Sequence, residues 1–139
     1  MASAPQYAGF PISASAVLAT ANLNRDGVTG AVVTAYTFRS AINGGVGGKI
    51  DTVTLTPSSA TVTVVGNVLM FINGVVVREI ATTAITPSAT VKGYQIPTTE
   101  GADANGVLII NKVCMPGDVV KFVTTVTQAI TARIEGGEF

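Results

Sequence analysis

Residues 69–79 read LMFINGVVVRE. Two apolar runs flank Asn73-Gly74, the dipeptide best suited to a two-residue type I′ turn, whose central residues both take positive φ. The turn predicts a hairpin with Ile72 opposite Val75, Phe71 opposite Val76 and Met70 opposite Val77. Alternation then places Phe71 and Val76 on one face, and Met70, Ile72, Val75 and Val77 on the other. Both faces are apolar, so neither is expected to meet water. One belongs to a core between two sheets. The other calls for a second layer or a second subunit.

The same texture extends outward from the hairpin. Short runs of Val, Thr and Ile are broken by Gly, Pro, Asn and Asp, which predicts strands near 17–23, 30–39, 49–56, 61–72, 75–82, 89–96, 107–113, 118–127 and 129–135. In KIDTVTLT (49–56), Val53 and Leu55 oppose Thr52, Thr54 and Thr56; in VVKFVTTV (119–126), Val120, Phe122 and Val126 oppose Lys121. Met115-Pro116-Gly117-Asp118 fits a type II turn. Residues 1–16, with Pro5 and Pro11 set against helix, read as an extended N-terminal arm. Residues 17–139 then form a single domain, and no long helix is expected. So many short strands at this turn spacing predict an all-β fold, an antiparallel β-sandwich of jelly-roll type.

Composition narrows the function classes. The chain has 139 residues, one domain's worth, with eight basic and eight acidic side chains and zero net charge. No clustered basic footprint for nucleic acid results. Charged residues are 12% of the chain, against about 25% in ordinary soluble domains. A surface so poor in charge is expected to associate. The most apolar stretch, 61–77, is interrupted by Gly66, Asn67, Asn73 and Gly74 and alternates like strands, so no membrane span is expected. No Lys or Arg precedes Arg25, unlike a secretory signal. The single cysteine, with no Asn-x-Ser/Thr sequon, suits synthesis in a reducing cytosol.

Catalytic chemistry finds little purchase. There is no histidine, the commonest general base and metal ligand. Cys114 in NKVCMP has an apolar context and reads as a buried packing residue. The carboxylates are spread through turns and strand ends. Glu100 and Asp103 share a Gly-rich loop that does not match the EF-hand pattern. GGVGGK (44–49) imitates a phosphate cradle, but Ile50 stands where a P-loop needs Ser or Thr. The expectation is a protein that is not an enzyme and needs no cofactor or metal. Tyr7, Phe10 and Phe139 sit near the ends and read either as anchors onto a neighbour or as packing on their own domain.

Residues 21–30, ANLNRDGVTG, hold Arg25 and Asp26 side by side. They read as a turn, with Asn and Asp capping the backbone and Gly27 at positive φ, or as a guanidinium–carboxylate bridge between subunits. This segment resembles the "TAN-x-NRDGTG" opening of a family of small proteins encoded among phage and prophage virion genes. VLMFINGVVVREIATTAITPSAT (68–90) is similar to that family's central hairpin, and MPGDVVKFVTTVTQAITARIEGGEF (115–139) to its Pro-Gly turn, strand and Gly-Gly-acidic-aromatic tail. The loops 40–48 and 98–106 match poorly. The resemblance implies a structural protein of a tailed phage, with no catalytic residues. Among such proteins a small β-sandwich with an extended arm looks most like a capsid decoration, or cement, protein. A homotrimer made in the host cytoplasm would then sit on the virion's capsid surface and clamp neighbouring major capsid proteins. Nucleic acid and membrane are not expected partners. Tyr7, Phe10, Arg25, Asp26, Met70, Val77 and Phe139 are the candidate interface residues. A tail or fibre-base component, or a carbohydrate-binding surface jelly roll, is the alternative.

Overall fold

The computed structural model describes residues 10–57, 66–82, 108–125 and 130–139. Eight strands follow in order: β1 (Phe10–Leu18), β2 (Val33–Thr37), β3 (Gly48–Pro57), β4 (Gly66–Ile72), β5 (Val75–Thr82), β6 (Leu108–Cys114), β7 (Val119–Thr124) and β8 (Ile130–Glu138). Among the described residues the only helical element is a 3-10 turn at Ala41–Asn43. The strands form two four-stranded sheets, ordered β1-β8-β3-β6 and β2-β7-β4-β5. Every pairing is antiparallel. The two sheets pack face to face as a β-sandwich. Among the described strands only the consecutive pair β4–β5 lies in one sheet as neighbours; every other consecutive pair lies in opposite sheets.

The core follows from the period-2 pattern. Ile12, Ala16, Leu18, Ile50, Val53, Leu55, Ile130, Ala132 and Ile134 point inward from one sheet. Val68, Met70, Ile72, Val120 and Phe122 meet them from the other. Each large aliphatic or aromatic side chain so buried contributes about 1.5–3 kcal/mol relative to exposure. The threonines of β3 lie on the opposite, half-buried face, as the alternation in KIDTVTLT predicts.

The N-terminal boundary differs from expectation. Residues 10–16, predicted within an arm, belong to β1, and its ladder with β8 runs without interruption from Phe10↔Glu138 to Leu18↔Ile130. Proline excludes helix but not an edge strand, where its missing N–H costs no bond. The strand predicted at 17–23 is therefore only the end of β1. Residues 1–9, with Tyr7, lie outside the described residues, as do the strand predicted at 89–96, the loop 98–106 and Val126.

The hairpin turn is as predicted, with φ of 51° at Asn73 and 79° at Gly74. Ile72 pairs with Val75 and Phe71 with Val76, but Met70 pairs with Arg78. Val77 is the extra residue of a bulge, which a turn signal alone does not reveal. Val77 packs against the edge of the inter-sheet core. Val75 stays 64% exposed, contrary to expectation. It lies at the turn end of β5, whose one described strand neighbour is β4.

The second apolar face finds part of its cover within the chain, while Val76, opposite Phe71, stays 38% exposed, contrary to expectation. Leu69, Phe71 and Val123 form a separate buried cluster on the outer side of the β2-β7-β4-β5 sheet, with Val32 packed on it. Residues 19–32, which carry the chain from β1 to β2, run across this face as a strap.

Candidate functional site

The strap is built by Asn22. Its backbone N–H donates to Thr124 O on β7 at 2.7 Å. Its side chain is buried, and Nδ2 donates to Thr29 O at 2.8 Å and to Ala31 O at 3.2 Å. Oδ1 accepts from Asn24 N at 2.9 Å and Asn24 Nδ2 at 3.1 Å. One amide thus ties both ends of the strap together. Asp26 closes its tip: Oδ1 accepts from Val28 N at 2.9 Å and Thr29 N at 2.8 Å, and Oδ2 from Thr29 Oγ1 at 2.6 Å. The Thr29 hydroxyl, then the Thr29 and Val28 N–H groups, hold the Asp26 carboxyl down at about 2. Gly27, at φ +69°, lies flat on Phe71; a Cβ there would stand 2.8 Å from Phe71 Cδ1. Arg25 donates to Glu79 on β5, and this hydrogen bond and charge raise its pKa. In this chain, then, Asp26 caps a turn and Arg25 pairs within its own domain.

One end of the sandwich gathers the remaining polar groups. Glu138, only 2% exposed, points between the sheets and accepts from the Tyr36 hydroxyl, from Arg39 N at 3.1 Å and from Arg39 Nε at 3.3 Å. Burial pushes its carboxyl up, but the Tyr36 and Arg39 hydrogen bonds and the Arg39 charge outweigh this and leave it below the ordinary range. Burial and the neighbouring carboxylate push Tyr36 up to about 12. The Arg39 guanidinium lies 4.2 Å from the centroid of the Phe10 ring. Phe38 meets Tyr36 edge-on at 5.1 Å.

The adjoining turns interlock. Asn73 Nδ2 donates to Asp118 Oδ1 at 2.7 Å, and Val119 N to Asn73 Oδ1 at 2.9 Å. The Pro-Gly turn closes through Asp118 N to Met115 O at 3.1 Å. Gly117 N reaches Arg39 O at 3.1 Å, and Phe139 N reaches Gly47 O at 2.9 Å.

The glycine run 44–48 is not a cradle. Gly44 N and Gly45 N bond back to Ala41 O and Ser40 O. A Cβ at Gly45 would stand 2.0 Å from Arg39 O, and one at Gly47 2.4 Å from Cys114 O. These glycines allow backbones to touch. Cys114 is buried, and burial, with the Asp118 charge, pushes its thiol up to about 11.

The structure thus separates the predicted interface residues. Phe10 and Phe139 are partly exposed at the same corner, at 53% and 41%. Arg25 and Asp26 lie on the strap. Met70 is fully buried between the sheets of its own chain and is not a surface residue, because its hairpin face is the inward one. Val77 is half-buried at the core edge. Sequence reasoning does not single out Asn22, Tyr36, Arg39 or Glu138. Glu138 follows Gly136-Gly137, where the backbone of β3 comes close: a Cβ at Gly136 would lie 2.0 Å from Lys49 O. Such a glycine pair beside an acid was the available signal.

The buried carboxylate accepts hydrogen bonds from Tyr36 and Arg39, so it fastens the end of β8 to β2 and the residues that follow it. Among the described residues no three His, Cys, Asp or Glu side chains converge to hold a metal. Comparison with protein-family models, curated proteins and solved structures returns no match.

Proposed function

We propose that this chain is a structural protein of a phage virion, decorating the outer capsid shell and stabilising it by binding neighbouring major capsid proteins. One observation carries the reading. The three segments that resemble the virion family are distant in sequence yet hold one another in the fold. Strap and hairpin meet through Arg25–Glu79 and Gly27–Phe71. Strap and C-terminal segment meet through Asn22–Thr124, and hairpin and C-terminal segment through Asn73–Asp118. The resemblance therefore falls on segments that meet in the fold. The strand order β1-β8-β3-β6 over β2-β7-β4-β5, with sheet-crossing connections, supports a jelly roll.

The mechanism is binding to the assembled shell alone. A ligand that binds only the assembled lattice stabilises it by mass action, and several weak contacts on one oligomer act together through effective concentration. The partly exposed Phe10 and Phe139 offer apolar contact area at one end of the molecule. Quantitative mass spectrometry of purified virions of the encoding phage tests this. A copy number comparable to that of the major capsid protein is expected. A few copies per particle would move the protein to the tail, and absence from the particle would overturn the reading.

A further inference from the structure

We propose that the free edge of β1 is a self-association edge, pairing antiparallel with β1 of a second copy about a two-fold axis through Ser15. Among the described strands the sandwich has four sheet edges: β1, β6, β2 and β5. Exposed edges template unwanted pairing and are commonly blunted by bulges and charges. Three of these edges are blunted. The β2 ladder shifts between Thr34 and Tyr36. The β3–β6 ladder shifts between Ile50 and Thr52, and β6 carries Lys112 and an Asn111 at φ 50°. The β4–β5 ladder shifts between Met70 and Phe71, and β5 carries Arg78 and Glu79. Strand β1 differs from all three. Its nine residues, FPISASAVL, contain no charge and pair with β8 without a shift.

The direction of its free groups follows from Pro11. Within an unbroken ladder a proline nitrogen belongs on the unpaired side. Residues of the same parity, Ser13, Ser15 and Val17, therefore present their N–H and C=O groups to the free edge. All three are exposed. The strand is also its own complement. With Ser15 opposite Ser15 of a second copy, Ser13 faces Val17, Ala14 faces Ala16 and Ile12 faces Leu18. The outer face then joins small hydroxyls and valines. The inner face sets two alanine pairs at the axis, flanked by isoleucine and leucine, so the core continues across the junction. No charge meets a like charge: Arg133 on β8, opposite Ser15, is paired with Glu135 at 3.3 Å and donates to Ser13 Oγ. An uncharged extended partner with small and aliphatic residues at this spacing is what β1 itself supplies, and isologous pairing is the commonest protein symmetry.

The inference stands on the fold and not on the virion reading. A two-fold edge does not close the trimer expected from the resemblance, so mass separates the two. Sedimentation equilibrium of the full chain over a wide concentration range is expected to show a dimer, or an even-numbered multiple of the chain. Ser15→Lys places two ammonium groups face to face at the axis and is expected to weaken association by about tenfold or more. Its far-UV spectrum should stay wild-type, because Ser15 is exposed in each copy. Ser15→Cys supplies the second test: hydrogen-bonded antiparallel pairs have Cα atoms about 5.5 Å apart, within disulfide reach. Mild oxidation should give a covalent dimer through this cysteine while buried Cys114 remains a thiol. A wild-type monomer at all concentrations, an association indifferent to Ser15→Lys, or a cysteine variant that does not cross-link each overturns the proposal.

Discussion

Tyr36 on β2 and Glu138 at the end of β8, 102 residues apart, share a hydrogen bond across the gap between the sheets. The same carboxylate takes the N–H and guanidinium of Arg39. Glu138→Ala leaves these donors without their acceptor and is expected to cost about 3 kcal/mol, read from urea unfolding near neutral pH. The folded carboxyl sits below its ordinary value, so its contribution is complete above the ordinary carboxylate range and is lost as pH falls through the folded value. The gap between wild type and variant should therefore narrow on acidification. A gap that widens in acid would refute this role.

Asn22 satisfies four partners from one side chain while buried. Asn22→Ala should cost about 2–3 kcal/mol and loosen the strap, seen as faster amide exchange at Asn24 and Thr29. Unchanged exchange would mean that the strap is held by its other contacts.

Arg25 offers a contrast. Its ion pair with Glu79 is exposed on both sides, at 52% and 40% for the two side chains. Such pairs contribute little. Arg25→Ala is expected to leave the melting temperature at the wild-type value in both low and high salt. A clear drop at low salt that disappears at high salt would show instead that the pair helps to hold the strap on β5.

Gly27→Ala meets two penalties, a left-handed backbone and a methyl group 2.8 Å from Phe71 Cδ1. A loss of about 2 kcal/mol is expected. Increased binding of a hydrophobic dye should accompany it as Leu69, Phe71 and Val123 become wetted. Destabilisation without dye binding would place the strain elsewhere.

The Cys114 thiol, buried and held up to about 11, should react very slowly with an aromatic disulfide reagent at neutral pH. Addition of denaturant should restore the ordinary rate. Rapid labelling of the folded protein would show that this end of β6 opens readily.

The hairpin is legible in the sequence because Asn73-Gly74 admits few alternatives and its flanks are short and apolar. The inward faces of β3 and β7 are legible because Val53 and Leu55 alternate with threonines, and Val120 and Phe122 stand on either side of Lys121. The bulge at Val77 is not, since register depends on what Met70 and Arg78 meet in three dimensions. The apolar character of Phe71 announces a cover but not its source; a second subunit and a strap leave the same trace in the hairpin. Asn22 and Asp26 carry ordinary turn chemistry locally, and only the fold shows which strands that turn spans. Glu138 resembles a solvated acid until β2 and β8 are brought together. Pro11 argues against helix and so suggests an arm, whereas on an edge strand it is neutral.

The pairing of β1 with β8 also bears on synthesis. Strand β8 lies between β1 and β3, and β1 has no other described strand neighbour. On the ribosome, residues 10–18 must wait for residues 130–138 to leave the exit tunnel before their ladder can close. The closure is long-range, and loop entropy makes such closures slow. Until then an uncharged strand is held open, and nascent chains on neighbouring ribosomes of one message carry the same strand at the same moment.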